Sequence, residues 1–168
     1  MFREMRRMNQ RLPEEESLEI LGRGSYGVLA VAGDGGYPYA VPLNYLYHAG
    51  KIYFHCAKSG HKLDAILRED KVSFCVTAED RVVPEEFATD FKSVIAFGRA
   101  HILEDGPEKR EAIERLAAKY SPGLEKEGAQ EIARDWDRLC MVALSIEHVT
   151  GKEGLKLSRL RRERAAGR

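Results

Sequence analysis

The spacing of apolar residues along this chain changes several times, and each change marks a predicted element. The first stretch is polar. Pro13 stands just ahead of residues 14–21, where the pattern predicts a short helix that the proline helps to start. From Tyr26 the pattern turns β-like. YGVLAVA (26–32) predicts a strand, GDGG (33–36) a hairpin turn, and YPYAVPLNYLYH (37–48) a second strand rich in aromatic and β-branched residues. Pro38 and Pro42 interrupt that second strand. Proline has no N–H to give to a ladder, so the strand is expected at an edge, bulged, or facing something other than another strand. A turn at 48–51 leads into KIYFHCA (51–57), the third strand of a meander.

Helical spacing follows. Ser59 is placed to cap a first turn, and Leu63, Ile66 and Leu67 then fall on one helical face. KVSFCVTA (71–78) returns to strand, 79–91 reads as a loop crossing the surface, and 92–104 as a long strand. Gly98 inside that strand predicts a bulge or sharp bend. Residues 106–122 are the clearest helix, with Ile113, Leu116, Ala117 and Tyr120 in one stripe. A second helix is predicted over 125–140 from Ile132, Trp136 and Leu139, and a last strand over 141–154. The strands cluster and do not alternate regularly with helices, which argues against a doubly wound parallel sheet. The expected fold is mainly β with helices, an α+β antiparallel β-barrel of about six strands with helices packed outside. Residues 1–155 are expected to form one domain, and 156–168 a basic, flexible tail.

Composition narrows the functional classes. Lys+Arg and Asp+Glu both number 27, so no basic excess marks a general nucleic-acid binder. No long apolar run predicts a membrane span, and MFREMRRMNQ lacks the apolar core of a secretory signal. The three cysteines form no CxxC pair and no metal spacing, which fits a reducing cytoplasm. Cys75 and Cys140 read as small buried hydrophobes, and Cys56 as a core-facing thiol beside Ile52 and Phe54. His55 and His61 have no third ligand at suitable spacing, so no metal site is expected. His48 and His101 read as surface or packing residues.

The chemistry concentrates in YFHCAKSGHKLDAI (53–66), where a strand runs straight into a helix. Alternation sends Tyr53, His55 and Ala57 one way and Ile52, Phe54 and Cys56 the other. The first N–H groups of a helix lack internal partners and sit at the positive end of its dipole. A phosphate placed there satisfies both. Lys62 adds a full charge, His61 and Ser59 add donors, and Gly60 lets the backbone come close. The residues alone leave open a plain reading: a capped helix with Lys62 in solvent. GRGSYG (22–27) has dinucleotide-like glycine spacing but precedes a strand, so it reads as a loop.

Taken together, the MRR near the start, YPYAVPLNY, IYFHCAKSGHKLDAI, KVSFCV and KSVIAFGRA occur in an order that resembles a known family. It is that of the pyridoxamine 5′-phosphate oxidase-like split barrels that bind FMN, in particular the 5-nitroimidazole-resistance branch. The resemblance covers roughly residues 4–152. It implies a six-stranded split barrel, usually a homodimer, with FMN in a groove at the subunit interface. It also implies that Pro42, Leu43, Asn44 and Tyr45 present backbone groups to the flavin ring. The phosphate would sit by His55, Cys56, Ala57, Ser59, Gly60, His61 and Lys62, with Ser93 and Val94 close by. TGKEG (150–154) would reach the ring edge or the partner subunit.

His55 matches a histidine near the flavin in that branch and is the implied catalytic residue; the implied reaction reduces a nitro group to an amine. The arginines and lysines that hold the substrate phosphate in the true oxidase have no assignable match, so vitamin B6 oxidation is not expected. The expectation is therefore an FMN-binding oxidoreductase acting on a small molecule. The alternatives are a non-catalytic protein that holds flavin (FMN or FAD) or haem, through His55, His61 or His148, and an interaction module using Arg159, Arg161, Arg162 and Arg164 of the tail.

Overall fold

The segment carrying the two prolines decides the architecture of the chain, whose computed structural model describes residues 1–167. Helix α1 (Glu14–Arg23) precedes a hairpin of β1 (Tyr26–Ala32) and β2 (Pro38–Asn44). β3 (Leu46–His48) pairs with β4 (Lys51–Ala57). Then come α2 (His61–Arg68), β5 (Lys71–Val83), β6 (Ala88–Ile102), α3 (Pro107–Tyr120), α4 (Glu125–Asp135), β7 (Leu139–Glu153) and α5 (Leu155–Ala166). Every ladder is antiparallel. The order across the seven-stranded sheet is β2-β1-β5-β6-β7-β4-β3.

The two ends of that order belong to one piece of chain. Only Tyr45 separates β2 from β3, so the outer edges of the sheet are joined and the sheet closes on itself. The barrel is split where this segment leaves β1 for β4. Counted as one strand, β2 and β3 restore the six strands expected. Both prolines lie on β2, an edge strand that pairs only with β1, as their missing N–H groups require.

The corner at Tyr45 is held tightly. Its side chain is fully buried, and its hydroxyl donates to the Leu21 carbonyl at 2.7 Å. Its N–H donates to the Tyr120 hydroxyl at 2.9 Å, and that hydroxyl donates in turn to the Ser25 carbonyl. Lys119 Nζ donates to the carbonyls of Gly24 and Tyr45 at 2.6 and 2.9 Å. The last turn of α3 thus satisfies the backbone groups freed where one ladder ends and the next begins.

Two apolar layers flank β4 and β7. Inside the barrel, Leu29, Ile52, Phe54, Phe74, Val76, Val94, Val142 and Leu144 form the main core, closed by Leu21 of α1 and by Leu63 and Ile66 of α2. Outside, α3 and α4 lay Ile113, Leu116 and Ile132 over Tyr53, Met141 and Ala143.

Several expectations are corrected. Residues 79–91 are not a surface loop: β5 and β6 continue as a hairpin arm from Glu79↔Lys92 to Val83↔Ala88, beyond a bulge at Thr77/Glu79. Alternating burial fades along the arm, so its sequence lacks the periodicity of a strand. Leu67 is exposed, and the buried face of α2 is Leu63, Ala65 and Ile66. The helix expected over 125–140 ends at Asp135, and Leu139 already belongs to β7. Gly98 does mark a bulge, between Phe97 and Gly98; a Cβ there would stand 2.0 Å from the Ser145 carbonyl oxygen. Helix α5 covers most of the stretch expected to be a flexible tail. Arg161 of that helix meets the buried Glu153 carboxylate at 2.7 Å and donates to the Arg11 carbonyl.

Candidate functional site

β4 reaches the split with a partner on one side only. The β3–β4 ladder stops at Leu46↔Tyr53, so past it His55, Cys56 and Ala57 pair with β7 alone. Here the chain turns through Lys58, Ser59 and Gly60 into α2. Gly60 has φ +133°, and no atom lies within 4 Å of where a Cβ would stand. Its backbone angle calls for glycine, and the space before it is open. The Gly60 carbonyl accepts the N–H groups of Leu63 and Asp64. The N–H groups of His61 and Lys62 have no partner among the described residues, and no side chain caps the helix. The expectation that Ser59 caps α2 is therefore corrected. Gly60 occupies the cap position, and the Ser59 hydroxyl is uncommitted.

The cations of this turn divide into two kinds. The far end of α2 is pinned to the β1–β2 turn, where Arg68 meets Asp34 at 2.9 Å and donates to the Ala32 carbonyl. His61 is drawn to the same side. Its ring stacks on Tyr39 at 4.2 Å, and its buried Nε2 lies 3.5 Å from Asp34 Oδ2 without hydrogen-bond alignment. Lys62, by contrast, forms no ion pair or hydrogen bond among the described residues. Its charge is felt by its neighbours: burial, and then Lys62, hold the His55 imidazole below its ordinary range. Both effects favour the neutral form of the His55 imidazole.

The residues named by the resemblance fall into three places. His55, Ala57, Ser59, Gly60 and Lys62 gather at the turn, while Cys56 points inward against the barrel core. Along β2, Pro42 and Asn44 face outward and Leu43 packs on the core. Tyr45 cannot serve as expected, because its side chain is core and its N–H and carbonyl are both taken by α3. Ser93 and Val94 lie elsewhere. Val94 is opposite Gly151 on β7, whereas Cys56 is opposite Cys140. That separation spans about 35 Å of extended strand at roughly 3.3 Å per residue. The Val94 side chain is fully buried, so only its backbone is available. Within one chain the turn and the Ser93–Val94 stretch do not meet.

Two cavities lie away from the turn. One of about 700 Å³ is walled by Arg23, Ser25, Tyr26, Thr77, Asp80 and Lys92, next to Ser93. Another of about 690 Å³ runs beneath Phe2 along β1, β5 and Phe97. Neither includes residues 53–62. The other histidine named for a haem is engaged, since His148 stacks on Phe2 at 4.6 Å. No group of three or more His, Cys, Asp or Glu among the described residues could hold a metal ion, and no helix there is long and apolar enough to cross a membrane. Two features escaped sequence reasoning. Cys140 stands opposite Cys56, and Thr77 stands opposite Ser93; both depend on strand register, which leaves no local sequence signal.

A six-stranded split barrel whose open corner carries an uncapped glycine turn defines a class of small β-barrel proteins. The sequence profile of the pyridoxamine 5′-phosphate oxidase family matches residues 13–153, and the chain belongs to that family. Among solved structures it is similar to a candidate 5-nitroimidazole antibiotic resistance protein from Bacteroides thetaiotaomicron, with TM-score 0.70, 18% identity and 86% of each chain covered. It is also similar to a FAD-binding protein from Mesorhizobium loti, with TM-score 0.64 and 25% identity, covering 86% of this chain and 96% of that one. A third similar structure is the flavocytochrome Anf3 from Azotobacter vinelandii, with TM-score 0.73 and 19% identity, covering 89% and 72%. No curated protein matches the sequence.

Proposed function

We propose that this chain binds FMN, with the phosphate on the turn from Ala57 to Lys62, and acts as an oxidoreductase on a small molecule. The observation that carries the reading is the set of unspent donors at that turn. Among the described residues the amides of His61 and Lys62, the Ser59 hydroxyl and the Lys62 ammonium all lack partners, before a glycine whose open side admits an anion. An anion there gains charge-assisted hydrogen bonds and a favourable helix end. Asp64, the one carboxylate in the first turn of α2, opposes this, and Lys58 and Lys62 outnumber it.

Bound FMN would supply electron transfer to the substrate. The chain's own contribution is to hold the phosphate end, to set at the rim a His55 whose neutral form is favoured, and to keep the Lys62 charge nearby. A cation close to the ring favours an anionic reduced flavin by simple attraction. β2, which carries Pro42 and Asn44, is an edge strand and offers the ring an edge that no strand occupies. Because the turn and the Ser93–Val94 stretch are far apart in one chain, the reading includes a homodimer. In it a second copy brings its β6 end to the turn. The family neighbours favour flavin ligands, and nitro-aromatic compounds are the first substrate class to screen.

The test is an absorption spectrum of the purified protein, followed by titration with FMN, FAD and haemin, and light scattering for mass with and without FMN. Flavin bands, FMN binding at least as tight as FAD, and a dimer mass are expected. A colourless protein that binds none of the three removes the reading.

A further inference from the structure

Cys56 and Cys140 are 84 positions apart in the chain and directly opposite each other on the antiparallel β4–β7 ladder. Directly opposed residues send their side chains to the same face, with Cβ atoms about 4.5–5.5 Å apart. Here that face is the barrel interior: Cys140 is buried in the main core and Cys56 packs against it, half-exposed at the open end. Cross-strand Cα spacings of about 4.5–5.5 Å lie within the window of about 4.4–6.8 Å that a disulfide spans. The rung is next to last, since only Ala57↔Leu139 lies beyond it, so the strand ends have room to draw together. Cys75 stands apart on β5, opposite Val28 and Ile95, and has no cysteine to pair with.

We propose that Cys56 and Cys140 form a thiol pair that closes reversibly into a cross-strand disulfide when met by a low-molecular-weight disulfide, and that closure shifts the turn at Ala57–Lys62 and weakens its hold on phosphate. The second half rests on the FMN reading above; the first does not. The step balances as thiol–disulfide exchange. The Cys56 thiolate attacks one sulfur of the oxidant and releases one thiol. Cys140, losing its proton, then attacks Cys56 Sγ and releases the second. Two electrons and two protons leave the protein for the oxidant.

The reduced state is guarded. Burial first, and then the Cys140 thiol, push the Cys56 thiol up to about 12, against a downward pull from Lys62. The thiolate is therefore scarce at neutral pH, and exchange quickens as the pH rises. Cys56 is also one residue ahead of the turn. Drawing it toward β7 displaces Ala57 to Gly60, the segment that aims the free donors.

The experiment uses the full-length protein, first reduced and then incubated with glutathione disulfide. Cysteines are counted by alkylation under denaturing conditions, and peptides are mapped by mass spectrometry. The expected result is a drop from three labels to one, with the remaining label on Cys75, a 56–140 crosslink, and restoration by dithiothreitol. Persistence of three labels, or a stable glutathione adduct on a single cysteine, overturns the pair. Cys56→Ser must abolish the crosslink and Cys75→Ser must keep it; the wild-type map decides the matter even if a variant folds poorly. FMN titration of both forms tests the coupling. Affinity about ten-fold weaker after oxidation is expected, the equivalent of one lost charge-assisted hydrogen bond. Equal affinity overturns the coupling. If FMN binds neither form while the crosslink forms, the FMN reading fails and the disulfide stands.

Discussion

The split of this barrel has two ends that solve the same problem in opposite ways. At Tyr45 the chain passes between ladders, and the polar groups are spent: its N–H on the Tyr120 hydroxyl, its carbonyl on Lys119, and its own hydroxyl on the Leu21 carbonyl, while Lys119 and Tyr120 also donate to the carbonyls of Gly24 and Ser25. Burial even draws the Lys119 ammonium below its ordinary range. At Gly60 the chain passes from strand to helix, and amides, a hydroxyl and an ammonium are left over. The first corner is a structural device, and its polar groups stabilise the fold. The second leaves its polar groups unpartnered among the described residues, which is what the proposed FMN site requires. Residue type alone does not separate them, since both corners hold a lysine and hydroxyl groups. Whether those groups already have partners does.

That comparison can be broken by mutation. The largest effect is expected at the spent corner. Tyr45→Ala removes a fully buried ring and its bond to Leu21, and should cost about 3–5 kcal/mol of stability, read by chemical denaturation. A loss under about 1 kcal/mol would show that this corner does not hold the split together.

Next is Lys62→Ala, expected to weaken FMN binding about ten-fold or more while leaving the denaturation midpoint unchanged. Unchanged FMN affinity would place the phosphate elsewhere. Gly60→Ala comes third. The space is open, so the cost comes only from a backbone angle that alanine resists; about 1–3 kcal/mol of stability should be lost, with weaker FMN binding.

Ser59→Ala sharpens the contrast most cleanly. A true cap would cost about 1 kcal/mol, but Ser59 caps nothing, so thermal stability should stay within about 0.5 kcal/mol while FMN affinity falls. The smallest effect is electrostatic. Burial and then Lys62 hold the His55 pKa down, so Lys62→Ala should raise it, seen as a move of the imidazole titration midpoint to higher pH by NMR. The sign for stability follows. With its folded pKa below the unfolded value, His55 contributes stability above the unfolded pKa, near about 6.5, and loses it as pH falls toward the folded value. Lys62→Ala should narrow that window of loss.

Much of this was legible in the sequence, for identifiable reasons. Alternation over 26–32 and 51–57, helical stripes over 106–122, the prolines of an edge strand and the glycine of a bulge are local signals. Each rests on a residue's own backbone preference or on the period of its neighbours. The order SGHK after a strand was enough to point to a turn rich in donors. Where the signal failed, a distant partner had decided the outcome. The arm at 79–91 forms strands because its two halves find each other in register, not because either one alternates. Leu67 is exposed because the barrel meets only one side of α2. Tyr45 is core because α1 and α3 converge on it, although its neighbours Asn44 and Leu46 lie on strand edges.

The amino-acid sequence by itself thus determined the elements, the family resemblance and the turn with its surplus of donors. These follow from side-chain size, charge and backbone preference over a few residues. Only the tertiary structure decided which donors stay free, that His61 is drawn to Asp34 while Lys62 is not, and that Cys56 faces Cys140. Those outcomes depend on strand register and barrel closure. Both are set by the sum of many weak contacts between distant segments, and no single stretch of chain encodes them.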